Sequence, residues 1–168
     1  MATLFLLRHA RASWPQPGAR DFDRPLEQSG RDDAVAMGLR MANEGLFPAA
    51  AICSTAVRAK ETLAEIVVGM DTSFPVTYDE RLYSADATGY LDIIRNAGTD
   101  EPVLIVGHNP MMEDTAAMLA DQSGKEDRRR LLEGFPVCGL AVIDFETPLA
   151  GIAQSSGRLR AFLKPGDI

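Results

Sequence analysis

The chain has 168 residues, 46% hydrophobic and 24% charged, with 17 Lys and Arg against 24 Asp and Glu. A formal charge of −7 gains little from counterion release on nucleic acid and is repelled by anionic lipid, so neither partner is expected. The length suits a single domain, residues 1–168, that buries enough surface to fold without a disulfide or a metal.

Thr3-Leu-Phe-Leu-Leu7 is a continuous apolar run and predicts a buried strand that stops at Arg8-His9-Ala10-Arg11. Residues 14–25 hold three Pro and one Gly with no period, and predict a loop. From Glu27 to Asn43 the residues Ala34, Met37, Gly38 and Met41 recur at helical spacing, and Gly45 supplies a stop. Ala49 to Cys53 predicts a strand, and residues 56–68 a helix with Ala59, Leu63, Ile66 and Val67 on one face. Phe74 to Tyr78 predicts a short strand, and Thr88 to Ala97 a helix. Pro102 to Val106 is the strongest strand candidate, β-branched and uncharged. Asn109-Pro110 reads as an N-cap followed by Pro at the first helical position, opening a helix to about Asp121. Cys138 to Phe145 and Arg158 to Leu163 predict a late strand pair, plausible as a hairpin.

Strands alternate with helices through most of this order. That pattern predicts an α/β fold of βαβ units, with a largely parallel sheet and helices on both faces. Ligand sites in such sheets lie beyond the carboxyl ends of the strands. Three polar clusters fall there: Arg8-His9, Ser54 to Arg58, and Gly107-His108-Asn109. Both histidines of the chain are in that set.

Two His and two Arg at strand ends suit phosphoryl transfer, where catalysis is mostly positioning and charge stabilisation. An Arg fork matches two phosphate oxygens. A neutral imidazole can attack phosphorus and form a covalent phosphohistidine. A second, protonated imidazole can donate to the phosphoryl oxygens.

Those residues also carry a family likeness. Leu7-Arg8-His9-Ala10 resembles the Arg-His-Gly signature of the histidine phosphatase superfamily, whose fold is phosphoglycerate mutase-like with three α/β/α layers. Ser54 to Thr62 resembles its Ser-Pro-x-x-Arg-Ala-x-x-Thr segment, with Thr55 in place of Pro. Val106-Gly-His-Asn-Pro110 resembles its late Gly-His segment. Arg24-Pro25-Leu26 followed by Gly30 resembles a stretch of the small SixA-type phosphohistidine phosphatases. The resemblance runs in order over roughly residues 3–120.

By this resemblance His9 is the nucleophile, Arg8 and Arg58 bind phosphoryl oxygens, His108 stabilises the charged intermediate, and Asn109 adds a donor. Ala10 replaces the usual Gly, which its backbone tolerates at a negative φ. Glu80, in Asp79-Glu-Arg-Leu-Tyr83, resembles the stretch that supplies a general acid in the mutases. A phosphohistidine substrate needs that acid little, because imidazole, with a pKa of about 6.5, leaves easily once protonated. An alkoxide needs it far more. Ala12 stands where sugar-phosphate mutases usually carry a Ser, which weighs against a mutase. The favoured substrate is therefore phosphohistidine on a protein. The alternatives are a small phosphomonoester turned over with Glu80 as acid, and a phosphate-binding module without turnover. No cofactor and no metal are expected.

Cys53 and Cys138 sit in apolar runs and read as reduced core thiols. Cys53 and Arg58 are separated by four residues, one too few for the phosphate-encircling loop of a cysteine-dependent tyrosine phosphatase. Met111, Met112 and Met118 read as core. Lys125 to Arg130 reads as a solvated face, or alternatively as a docking patch for an acidic partner. The amino-terminal residues lack a secretory pattern, and the expected location is the cytoplasm.

Overall fold

A computed structural model describes residues 1–120 and 124–167. In chain order the elements are β1 (Ala2–Arg8), α1 (Gln28–Asn43), β2 (Ala50–Cys53), α2 (Val57–Met70), β3 (Val76–Tyr78), α3 (Arg81–Ser84), α4 (Ala87–Arg95), β4 (Val103–Gly107), α5 (Met111–Leu119), α6 (Lys125–Leu132), β5 (Leu140–Phe145) and β6 (Gly157–Leu163). The strands form one six-stranded sheet in the order β3-β2-β4-β1-β5-β6. β1, β2, β3 and β4 pair in parallel, and β5 runs against both of its neighbours. The fold is α/β with three layers and a mostly parallel sheet, phosphoglycerate mutase-like as expected.

The layering follows from the two-residue period of a strand, which sends successive side chains to opposite faces. Leu4 and Leu6 of β1 pack with Ile93 and Ile94 of α4, Met112 of α5 and Leu131 of α6. Phe5 and Leu7 point the other way, onto Met37 and Met41 of α1 and Leu63 and Ile66 of α2. β1 from Leu4 to Leu7 and β4 from Val103 to Val106 are therefore continuously apolar, as a strand covered on both faces must be. α1 and α2 approach so closely that a Cβ on Gly38 would lie 2.2 Å from the Ile66 carbonyl, and one on Gly69 2.0 Å from that of Val35.

Several expected boundaries move for local reasons. α5 begins at Met111 with Pro110, not Asn109, as its N-cap. The Asn109 side chain still acts on that helix, since its Oδ1 accepts the Glu113 N–H at 3.3 Å. The helix is described to Leu119, and its expected end near Asp121 lies outside the described residues. β5 starts at Leu140 because Cys138 has φ +57°, which ends any extended run. The Lys125–Arg130 cluster forms most of α6. Arg129 pairs there with Glu126 and Glu133, and Arg130 bonds the Phe162 carbonyl, which favours the solvated-face reading. The loop over 14–25 is present, but it contains a 3-10 turn at Asp21–Asp23 that the composition did not signal. No helix among the described residues is long and apolar enough to cross a membrane.

Candidate active site

The β1–β4 register places Arg8 opposite Gly107, so the next residues of the two strands, His9 and His108, emerge side by side. Their ring centroids are 5.2 Å apart. The His9 N–H donates to the Gly107 carbonyl at 3.1 Å, which fixes the two strand ends together. Both imidazoles are buried.

The hydrogen bonds of His9 assign its tautomer. Nδ1 lies 2.7 Å from the Ala10 carbonyl, which can only accept, so the proton is on Nδ1 and the lone pair is on Nε2. Nε2 faces Arg58, whose Nε–H donates to it at 3.3 Å. Burial, opposed by the bond to Ala10 and helped by Arg58, Arg8 and Arg24, pulls the His9 pKa down to about 4. A neutral imidazole with an in-pocket lone pair is the form needed for attack. The acid limb of kcat/KM for a phosphoryl substrate should therefore fall as pH drops through about 4, because protonation of His9 removes the lone pair. A pH–rate profile checks this, and a limb centred at the ordinary histidine value of about 6.5 would contradict it.

Arg58 lies at the start of α2, and Asp21 clamps both of its terminal nitrogens. NH1 donates to the Asp21 carbonyl at 2.8 Å and NH2 to Oδ2 at 3.0 Å. Oδ2 also accepts from the Tyr83 hydroxyl at 2.9 Å, and Oδ1 from Arg24 at 2.9 Å. The Arg24 bond first, then Tyr83 and Arg58, hold the Asp21 carboxyl at about 2, so it is an anion. Thr62 ties α2 to the nucleophile loop: its Oγ1 accepts the Ala10 N–H at 2.9 Å and donates to the Arg58 carbonyl at 2.6 Å. Ala10 is fully buried and is not among the residues with positive φ, so its extra methyl is accommodated.

His108 is held from three sides. Its N–H donates to the Tyr90 hydroxyl at 3.1 Å, which in turn donates to the Leu82 carbonyl at 2.5 Å. Its Nε2 lies 2.7 Å from Ser54 Oγ. The Tyr83 ring packs edge-on at 5.4 Å between centroids. Burial first, then the charges of His9 and Arg58, lower its pKa to about 3. The neutral ring is therefore favoured before a phosphoryl group arrives.

Arg8 donates from NH1 to the Phe135 carbonyl at 2.8 Å, and burial lowers its pKa. Asn109 Nδ2 bonds that same carbonyl at 3.1 Å and Glu113 Oε2 at 3.3 Å, so its amide is engaged in holding the segment that holds Arg8. Glu80 sits exposed just before α3, and its side chain makes no hydrogen bond or ion pair with any described residue. The structure thus brings His9, His108, Arg8 and Arg58 together, gives Asn109 a supporting position, and leaves the Glu80 side chain exposed and unbonded before the short helix whose Tyr83 meets His108. It gives roles to Ser54, Thr62 and Tyr83, which lay in the motifs without one, and adds Asp21 and Tyr90, which no motif marked. A cavity of about 360 Å³ opens at His9, lined by Arg8, Arg11, Ala12, Arg24 and Arg58 among others. Cys53 and Cys138 are buried, and burial pushes both thiols up to about 12, the opposite of a thiolate nucleophile.

Residues 4–90 match the family model of the histidine phosphatase superfamily, branch 1. The uncharacterized protein Rv1276c of Mycobacterium tuberculosis is 36% identical over 165 residues, spanning 95% of this chain and 99% of that one. Two solved structures are similar throughout. The candidate phosphohistidine phosphatase SixA of Agrobacterium tumefaciens is 35% identical with a TM-score of 0.81, covering 98% of each chain. The corresponding candidate from Nakamurella multipartitia is 31% identical with a TM-score of 0.83, covering 98% of this chain and 96% of that one. With the site geometry, these likenesses establish that the chain belongs to the histidine phosphatase superfamily and is a phosphatase of the hydrolase class.

Proposed function

We propose that this phosphatase removes the phosphoryl group from phosphohistidine carried by another protein. One observation carries the reading: His9 has its proton fixed on Nδ1 by the Ala10 carbonyl, and its Nε2 lone pair points at Arg58. Nε2 attacks phosphorus as the bond from phosphorus to the substrate nitrogen breaks. The substrate ring, protonated from solvent on its other nitrogen, takes the electron pair and leaves as neutral imidazole, and phosphorus is now bonded to His9. Water then attacks phosphorus, releasing phosphate and regenerating the His9 lone pair. Arg8 and Arg58 hold the phosphoryl oxygens, and the arriving dianion raises the His108 pKa so that His108 becomes a charged donor to them. Asn109 acts by holding the Phe135 segment against Arg8.

The Glu80 side chain has no hydrogen bond or ion pair that would orient it as an acid, which suits a nitrogen leaving group better than an alkoxide. Two buried reduced thiols suit the cytoplasm, and residues 1–168 act as one domain built on the single sheet. The test compares a phosphohistidine-bearing protein with alkyl phosphates, in the parent and in Glu80→Gln. The phosphohistidine substrate should have the higher kcat/KM, and Glu80→Gln should change its turnover by less than about threefold, against the 10²–10⁴-fold typical of a lost general acid. Faster turnover of alkyl phosphates, abolished in Glu80→Gln, would establish the small-molecule reading instead.

A further inference from the structure

The cavity at His9 holds more positive charge than a phosphoryl group needs. Four guanidiniums line it, those of Arg8, Arg11, Arg24 and Arg58. One carboxylate, Asp21, meets Arg24 and Arg58 from outside the lining. The two imidazoles are neutral, with pKa values near 4 and 3. A phosphoryl dianion engages Arg8, Arg58 and the His108 that it charges, and Asp21 bonds Arg24, so the Arg11 guanidinium is left over. The Arg11 side chain has no hydrogen bond or ion pair with any described residue, which identifies the surplus cation.

Arg11 is also presented on a rigid support. Its carbonyl accepts the Glu27 N–H at 3.0 Å. Ala12 forms an antiparallel bridge with Leu26, and the Ser13 N–H donates to the Pro25 carbonyl at 2.8 Å. Arg24 Nε closes the other side onto the Ser13 carbonyl at 3.0 Å. α1 abuts this strip so tightly that a Cβ on Gly30 would lie 2.3 Å from the Arg11 carbonyl oxygen. The stretch from Arg24 to Gly30 thus builds a wall with Arg11 and Arg24 on it, facing the cavity.

The geometry points to a second anion subsite at Arg11, supported by Arg24, that takes a carboxylate carried beside the phosphoryl group, namely that of an acidic residue flanking the phosphorylated histidine. A single uncommitted guanidinium matches a carboxylate better than a second phosphate, which would bring about two negative charges. The subsite rests on the phosphatase reading for its place, but not on the nature of the leaving group.

Two substrate pairs test it. The first is a set of phosphohistidine peptides with Glu or Gln beside the phosphorylated residue. The second is phosphoglycolate against ethyl phosphate, which differ by a carboxylate. The readout is the ratio of kcat/KM, acidic over neutral, in the parent, Arg11→Gln and Arg11→Glu. The parent should prefer the acidic member by about tenfold, the size of one charge-assisted hydrogen bond. The ratio should fall towards one in Arg11→Gln, carried by KM, and fall below one in Arg11→Glu. The Arg11 side chain is exposed, and a thermal melt checks that both variants fold. An equal ratio in the parent and Arg11→Gln on both pairs overturns the subsite while leaving the proposed function standing. An Arg11-dependent ratio on the esters without peptide turnover upholds the subsite and overturns the phosphohistidine substrate.

Discussion

His9→Ala should lower turnover by about 10⁴-fold or more, the scale seen when a covalent nucleophile is removed. The argument is one of atoms. Nε2 is the lone pair that faces Arg58 inside the cavity, and the ring's proton is held on Nδ1 by the Ala10 carbonyl. His108 is turned to Ser54, whose Oγ lies 2.7 Å from Nε2, and its Nδ1 is buried without a partner, so the site of the adduct distinguishes the two rings. The parent, quenched during turnover, should carry an acid-labile, base-stable phosphoryl adduct on His9 that mass measurement detects. The variant should carry none. A parent that turns substrate over without any such adduct would overturn the covalent route and leave direct attack by water.

Arg58→Ala should be the second largest loss, about 10²–10³-fold in kcat/KM, in line with removal of one oxyanion donor. Arg58 does two things at once. Its Nε reaches His9 Nε2 at 3.3 Å, and its terminal nitrogens are pinned by Asp21. Arg58→Lys should recover little of the loss, because an ammonium on a flexible stem cannot span both partners as a planar fork does. The fold should survive, since Asp21 keeps Arg24 and Tyr83 as partners. A circular dichroism melt separates the two effects. If Arg58→Lys works as well as the parent, the fork geometry is irrelevant and Arg58 acts as a simple point charge.

Elements with a strong period or a continuous apolar run are legible in the sequence alone. β1 and β4 announce themselves by apolar residues on both faces, and α1 by Ala34, Met37 and Met41 on one side. The four central residues are legible for a related reason: they follow directly from strand ends or helix starts, where parallel sheets converge. α3 is too short to show a period, and α6 buries one residue, Leu131, so its charge conceals it. Asp21 lies in a Pro-rich loop and gains its meaning from Arg58, which is 37 positions away. Tyr90 acts through a hydroxyl beneath His108, a contact no linear pattern encodes. Glu80 is marked by a local likeness alone, and its exposed side chain has no bond that fixes where it points.

The register that pairs Arg8 with Gly107 has a kinetic meaning as well. His9 and His108 come from strands nearly a hundred residues apart in the chain, and they meet only when β1 docks beside β4. Parallel pairing at such separation is among the slower events of folding, because the intervening loop must close first. A collapsed chain with its helices formed but its central strands unpaired is then fully helical and fully inactive. Regain of activity on refolding is a clock for that one long-range pairing, and it should lag behind the return of helical signal.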